Sequence, residues 1–228
     1  MENNVGVFLG SFNPPHIGHE HIIINAWNSN IFSKIYVIPA YQNPWKQIAN
    51  GYPTYDERYK MCCEMFGALN ENIVVSDFER QFAKNNNVET VFTYEMLKEF
   101  QKTIDCKVNI ITTAETFCEI YDWHNGIDML HEFKYFIIKD KNSDWLKFSS
   151  YVADLQNMIN DKYCQLNNME YELVPCDDVI INVSSTKLRE LFKNRYKIDI
   201  YNKPIIPHYT TDNVIKYILN NYIYDNLR

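Results

Sequence analysis

No stretch of this chain stays apolar for more than a few residues, so nothing in it is long enough to span a membrane. The opening Met1-Glu2-Asn3-Asn4 lacks the charged and apolar regions of a secretory leader. Positive charge is short as well. Lys and Arg number 22 against 29 Asp and Glu, a net charge of −7, which leaves no overall basic footprint for nucleic acid. The six cysteines form neither a C-x-x-C nor a zinc spacing. Cys62 and Cys63 sit side by side in an expected helix, where successive side chains point about 100° apart and bridge poorly. They read as thiols of a reducing compartment, which places the chain in the cytoplasm. Neither an internal repeat nor a low-complexity linker divides the sequence. With 46% hydrophobic and 22% charged residues, the expectation is a single domain over residues 1–228 with a C-terminal helical part from about 184.

What is present is an alternation of strands and helices. Val5 to Leu9 is a β-rich apolar run ending at Gly10, and a helix follows from about Ile17 to Asn28. Lys34 to Pro39, Ile73 to Phe78, Val108 to Ile111, Tyr135 to Ile138 and Glu172 to Val174 read as further strands. Helices are expected over Asp56 to Leu69, Val88 to Lys102, Thr116 to His131, Trp145 to Asp161, Ser184 to Asn194 and Thr211 to Asn221. The loop from Tyr41 to Pro53 is long for a mere connection. This alternation predicts an α/β fold, a Rossmann-like doubly wound parallel sheet with helices on both faces. Ligands of such sheets sit at the carboxyl ends of the strands, near the switch in strand order.

The loop after the first strand carries the most informative stretch, Gly10-Ser11-Phe12-Asn13-Pro14-Pro15-His16-Ile17-Gly18-His19. Gly10 and Gly18 permit close approach of backbone to a ligand. The helix that follows presents free N–H groups and the positive end of its dipole. His16 and His19, three apart, share a helical face, and two imidazoles there can donate to phosphate oxygens as negative charge builds. A zinc site at His16, His19 and His21 is the competing reading, but no downstream Cys/His pair has a usual spacing. With each residue type near ~5% usage, six specified positions recur by chance about once in 10^7 to 10^8 sites, so the pattern is specific.

Gly10 to His19 contains a literal HIGH and resembles the nucleotidylyltransferase superfamily, which shares that signature with class I aminoacyl-tRNA synthetases. Within it the stretch looks like the nicotinamide/nicotinate mononucleotide adenylyltransferases. Val183-Ser184-Ser185-Thr186-Lys187-Leu188-Arg189 is similar to that family's ISSTxIR. Lys187 and Arg189 read as first-turn cations, disfavoured by the helix dipole unless a polyphosphate binds there. Asn43-Pro44-Trp45-Lys46-Gln47 looks like the loop that carries a basic residue to the mononucleotide phosphate. Thr93 to Leu97 resembles a Y-T-x-x-T-L helix start, and Trp123 stands where the family has a tryptophan near the pyridine ring, a plane suited to stacking. There are departures too. The family's G-A-D is Thr113-Ala114-Glu115, where a side chain replaces the glycine that lets backbone approach adenosine, and its Arg after the fifth strand is missing.

The resemblance implies an enzyme that joins ATP and nicotinate or nicotinamide mononucleotide, releasing pyrophosphate. His16, His19, Lys46 and Arg189 would be catalytic. Gly10, Ser11, Phe12, Thr113, Glu115, Ser184, Ser185 and Thr186 would bind ATP or the dinucleotide. Trp45, Thr93 and Trp123 would bind the mononucleotide. Mg²⁺ would arrive with ATP and take no ligand from the protein. No nucleic-acid or membrane partner is expected, and a homo-oligomer stays open. So do three other readings: a sibling transferase acting on phosphopantetheine, FMN or a CTP substrate, a synthetase fragment that binds tRNA, and a non-catalytic nucleotide sensor. Near Trp123 there is no Arg or Lys, and His124 is the one imidazole beside it, so both pyridines are expected to be accepted within about tenfold, roughly 1.4 kcal/mol.

Overall fold

The computed structural model describes residues 4–42, 52–139, 144–163, 169–176, 183–193 and 209–225. The strands are β1 (Val5–Gly10), β2 (Lys34–Pro39), β3 (Ile73–Val75), β4 (Val108–Thr113), β5 (Lys134–Lys139) and β6 (Tyr171–Pro175). The helices are α1 (Ile17–Asn28), α2 (Tyr55–Phe66), α3 (Phe78–Asn86), α4 (Thr93–Gln101), α5 (Ala114–Glu119), α6 (Gly126–Glu132), α7 (Trp145–Tyr163), α8 (Ser185–Lys193) and α9 (Asp212–Asn220). The strands form one six-stranded parallel sheet in the order β3-β2-β1-β4-β5-β6. The order reverses between β1 and β4, the switch point at which open α/β sheets bind nucleotides. No described helix is long and apolar enough to cross a membrane.

Two compact units make up the chain. The first holds Met1–Leu9, Ile22–Tyr36 and Phe92–Ile180. Val5 to Phe8 pair in register with Val108 to Ile111, and β5 runs on β4 from Asn109↔Lys134 to Thr113↔Ile138. β4 and β5 are near-continuous apolar runs because a parallel strand covered on both faces has no wet side. Ile110, Ile111, Tyr135, Phe136, Ile137 and Ile138 are all buried. Asn109 and Thr112 are buried polar exceptions in β4; the Asn109 amide donates to the carbonyls of Val5 and Lys107, both at 3.2 Å, and Thr112 Oγ1 to Thr113 O at 3.4 Å.

The second unit holds Gly10–His21, Val37–Val91 and Ile181–Arg228. Its core gathers Phe12, Val37, Ile38, Met61, Met65, Phe66, Phe192, Val214, Ile218 and Tyr224. Helix α2 opens with a reciprocal cap. Thr54 Oγ1 accepts from the Glu57 N–H at 3.3 Å, while Glu57 Oε2 accepts from the Thr54 N–H at 2.7 Å.

Three expectations are corrected. Ile73 to Phe78 is not one strand, since β3 stops at Val75 and α3 begins at Phe78, and the next helix starts at Thr93 rather than Val88. The buried positions of α3 are Glu79 and Ala83, so a carboxylate occupies an inward position that a sequence pattern reads as polar. The helix expected over Thr116 to His131 is broken into α5, a 3₁₀ turn at Ile120–Asp122 and α6. Asn125 there is left-handed at φ 56°, which no continuous helix accommodates. None of the five described cysteines, Cys62, Cys63, Cys106, Cys118 and Cys176, forms a disulfide.

Candidate active site

The turn after β1 is built around a buried phenylalanine. Phe12 has φ 44°, a conformation costly for a bulky side chain, and is only 1% exposed. Its ring meets Phe66 edge-on at 5.7 Å and His19 edge-on at 5.0 Å, which holds it there. A side chain at Gly10 would stand 3.0 Å from the same ring. The Asn13–Pro14 peptide is cis.

Most carbonyls of this turn are taken by donors from elsewhere in the second unit. The Ala40 N–H donates to Gly10 O at 2.9 Å, and Arg58 Nη1 to Ser11 O at 2.8 Å. Arg189 Nη1 donates to Asn13 O at 2.6 Å, Ser185 Oγ to Pro14 O at 2.8 Å, and Thr210 Oγ1 to Pro15 O at 2.9 Å. The Tyr224 hydroxyl donates to Asn13 Oδ1 at 2.6 Å. Engaging the negative ends of these dipoles removes repulsion that an anion would otherwise meet at the turn.

His16 and His19 stack with ring centroids 3.6 Å apart at the start of α1. His19 Nδ1 accepts the backbone N–H of His16 at 3.1 Å, which assigns the proton of a neutral His19 ring to Nε2. Burial pushes the His16 pKa down to about 4, and His19 falls well below its usual value through burial and the neighbouring His16 charge. Both rings are therefore neutral N–H donors at neutral pH. A side chain at Gly18 would come within 3.0 Å of His16 Nδ1, so glycine keeps room for that ring.

Helix α8 starts at Ser185, with Ser184 Oγ accepting the Lys187 N–H at 3.2 Å. Lys187 falls in the first turn and Arg189 just beyond it, a correction to the expectation that both lie there. Aromatic faces offset the unfavourable dipole: Lys187 Nζ lies 5.0 Å from the Tyr209 ring centroid and the Arg189 guanidinium 5.3 Å from that of Tyr52. Arg189 Nη2 also donates to Thr186 Oγ1 at 2.9 Å.

The remaining described candidates lie in the first unit. Thr113 ends β4 with extended backbone, φ −97° and ψ 164°, which asks for no glycine. Its hydroxyl caps α5 by accepting the Thr116 N–H at 3.3 Å. Glu115 is exposed in the first turn of α5. Thr93 opens α4, and Trp123 is half-buried in the break between α5 and α6. Their chain neighbours meet, for the Phe92 and His124 rings stack at 4.1 Å. Glu95 Oε1 lies 3.4 Å from His124 Nε2 and accepts from the Asn125 amide at 2.7 Å. Trp45 and Lys46 lie outside the described residues.

Sequence reasoning missed Glu79, Glu95 and Thr210, and it gave Arg58 and Tyr224 no partner in the turn, although Asp56-Glu57-Arg58 and the tail from Pro204 to Tyr224 follow the family pattern. Arg58 carries a physical signal too, a cation in the first turn of a helix, where the dipole disfavours it. Among the described residues no three His, Cys, Asp or Glu side chains cluster as a metal cage.

A parallel sheet with its switch at β1/β4, and a histidine pair at a helix N-terminus beside that strand, define a nucleotide-binding α/β protein. The family model described as Cytidylyltransferase-like matches residues 7–191. A relative from Sulfurimonas denitrificans named "Probable nicotinate-nucleotide adenylyltransferase" is 32% identical over 140 residues, 61% of this chain and 71% of its own. Another of that name, from Pseudothermotoga lettingae, is 25% identical over 86% of this chain and 89% of its own. Among solved structures, nicotinic acid mononucleotide adenylyltransferase of Plasmodium falciparum complexed with NaAD has the same fold. Its TM-score is 0.75 at 19% identity, with 98% of each chain covered. The chain belongs to the cytidylyltransferase-like family and, within it, to the nicotinate-nucleotide adenylyltransferases.

Proposed function

We propose that this chain, acting as one nucleotidylyltransferase domain, transfers the adenylyl group of ATP to nicotinate mononucleotide. A phosphate oxygen of the mononucleotide attacks the α-phosphorus of ATP in line. The bond from that phosphorus to the bridging oxygen breaks, and pyrophosphate leaves with its electron pair. No protein nucleophile is needed, so the protein contributes positioning and charge stabilisation.

The observation that carries this reading is the stacked His16–His19 pair, with His19 Nδ1 occupied by the His16 N–H. It puts the ring proton of His19 on Nε2, the atom assigned to phosphate oxygens whose charge grows in the transition state. His16 serves the same phosphates. Gly10, Ser11 and Phe12 offer backbone to the nucleotide. Ser184, Thr186 and Arg189 serve the β- and γ-phosphates, and Ser185, already tied to Pro14 O, supports the turn as well as the phosphates. Lys46 and Trp45 meet the mononucleotide phosphate. Thr93 and Trp123 hold the pyridine, and Thr113 and Glu115 the adenosine. Mg²⁺ comes as part of the ATP substrate, and no step runs through a protein-bound metal. Nicotinamide mononucleotide is a weaker alternative acceptor.

The test is a pyrophosphate-release assay with ATP and a panel of acceptors. Release is expected with nicotinate mononucleotide and not with phosphopantetheine or FMN. Turnover of CTP or of phosphopantetheine in preference would assign a sibling reaction. Nucleotide binding without release would make the chain a sensor.

A further inference from the structure

Arg58 is the most deeply buried cation of the described residues, at 6% exposure, and it stands in the first turn of α2, where the helix dipole opposes a positive charge. Burial lowers its affinity for its proton, as does nothing else nearby; the groups facing it are Cys62, Tyr55, Glu79 and Tyr224. Such a charge persists only when its donors are well used. They are used on two separate loops. Nη1 donates to Ser11 O at 2.8 Å in the turn after β1, and Nη2 donates to Tyr41 O at 3.0 Å in the loop after β2. Glu79, also 6% exposed, accepts the Tyr41 N–H at 2.9 Å and places its carboxyl near the guanidinium. The Tyr41 residue is thus gripped at both its N–H and its carbonyl, and the same cation grips Ser11.

We propose that Arg58 is a positioning residue: with Glu79 it fixes the backbone of Ser11 relative to that of Tyr41 and so sets the histidine-bearing turn before ATP arrives. It touches no reacting atom. Its action runs through Ser11 and the Phe12 conformation that follows. This inference rests on the adenylyl-transfer reading given above for its kinetic arm only.

The geometry distinguishes this role from simple charge neutralisation. An ammonium is a single point on a shorter stem and cannot occupy both Nη positions, though it keeps the positive charge beside Glu79. In Arg58→Lys the melting temperature is expected within a few degrees of wild type. kcat is expected to fall ten- to a hundredfold while KM for nicotinate mononucleotide stays within twofold. Hydrogen-exchange mass spectrometry on the same variant should show faster exchange across residues 10–17 and 37–42 and little change in α9. Wild-type kcat with unchanged exchange in both segments would overturn the proposal, as would loss of protection spread evenly over the whole chain.

The exchange arm stands even if the wild type releases no pyrophosphate, so a failed clamp and a failed functional reading are told apart. Glu79→Leu removes the acceptor of the Tyr41 N–H while leaving the two Arg58 donations in place, and serves if Arg58→Lys does not fold. Faster exchange at 37–42 with a drop in kcat of about tenfold supports the clamp. Unchanged exchange there overturns it.

Discussion

His19 Nδ1 accepts the backbone N–H of His16 at 3.1 Å, so the peptide that begins the helical turn also sets the tautomer of the second histidine. The spacing His-x-x-His is what allows it, since residue i+3 returns over residue i at a helix start. His19→Ala is accordingly expected to lower turnover by about 10^2 or more while mononucleotide binding stays nearly intact. Steady-state kinetics with a binding titration on the folded variant checks this. Near-normal turnover would remove His19 from the phosphate chemistry.

The histidines and Glu79 push stability in opposite directions with pH. Burial lowers His16 from 6.5 to about 4, so its folded form binds fewer protons than the unfolded chain between those values. Its contribution is present above pH 6.5 and lost as pH falls toward 4; His19 has the same sign. Glu79 is raised from 4.5 to about 7, so its contribution is present below pH 4.5 and lost as pH rises through 7. Urea midpoints measured between pH 4.5 and 6.5 should rise less steeply in His16→Gln than in wild type. They should rise more steeply in Glu79→Gln. Parallel curves for all three proteins would contradict these assignments.

Gly126 fixes the break that carries Trp123. A side chain there would stand 2.0 Å from Ile120 O and 2.8 Å from Tyr121 O, both backbone atoms that cannot step aside. Gly126→Ala is expected to cost about 3 kcal/mol in chemical denaturation and to shift Trp123 fluorescence. Unchanged stability would mean that the Ile120–Asn125 segment adjusts freely.

The choice between pyridines turns on Glu95. Nicotinate brings a carboxylate, and Glu95 Oε1 lies 3.4 Å from His124 Nε2, the imidazole next to Trp123 in the chain. That carboxylate opposes any preference for nicotinate that His124 would give. Wild-type kcat/KM values for the two mononucleotides are expected within about tenfold, roughly 1.4 kcal/mol. Glu95→Gln should shift the ratio toward nicotinate. A shift toward nicotinamide, or a wild-type ratio of a hundredfold or more, would place the selectivity elsewhere.

The strand and helix alternation and the histidine turn were legible because their signals are local. Apolar runs such as Ile35 to Pro39 and Tyr135 to Ile138 mark buried parallel strands, and Gly10 to His19 is a contiguous motif. The carbonyl partners of that turn were not, because they come from far along the chain. Arg58, Ser185, Thr210 and Tyr224 lie 47, 171, 195 and 211 residues from the atoms they hold. Helix α3 escaped for a different reason, a buried carboxylate, Glu79, at a position where a sequence pattern expects an apolar side chain. At Thr113 the residue identity suggested an obstacle to adenosine. The extended backbone and the cap on α5 show a local use for the hydroxyl that spacing alone does not reveal.

The adenylyl-transfer account is tested most directly by the product. Incubation of the purified chain with ATP, Mg²⁺ and nicotinate mononucleotide, followed by mass spectrometry, should yield the deamido dinucleotide and pyrophosphate in equal amounts. Both should fall together by about 10^2 or more in His19→Ala. ATP turnover without dinucleotide, or dinucleotide formed equally well by the variant, would contradict the account.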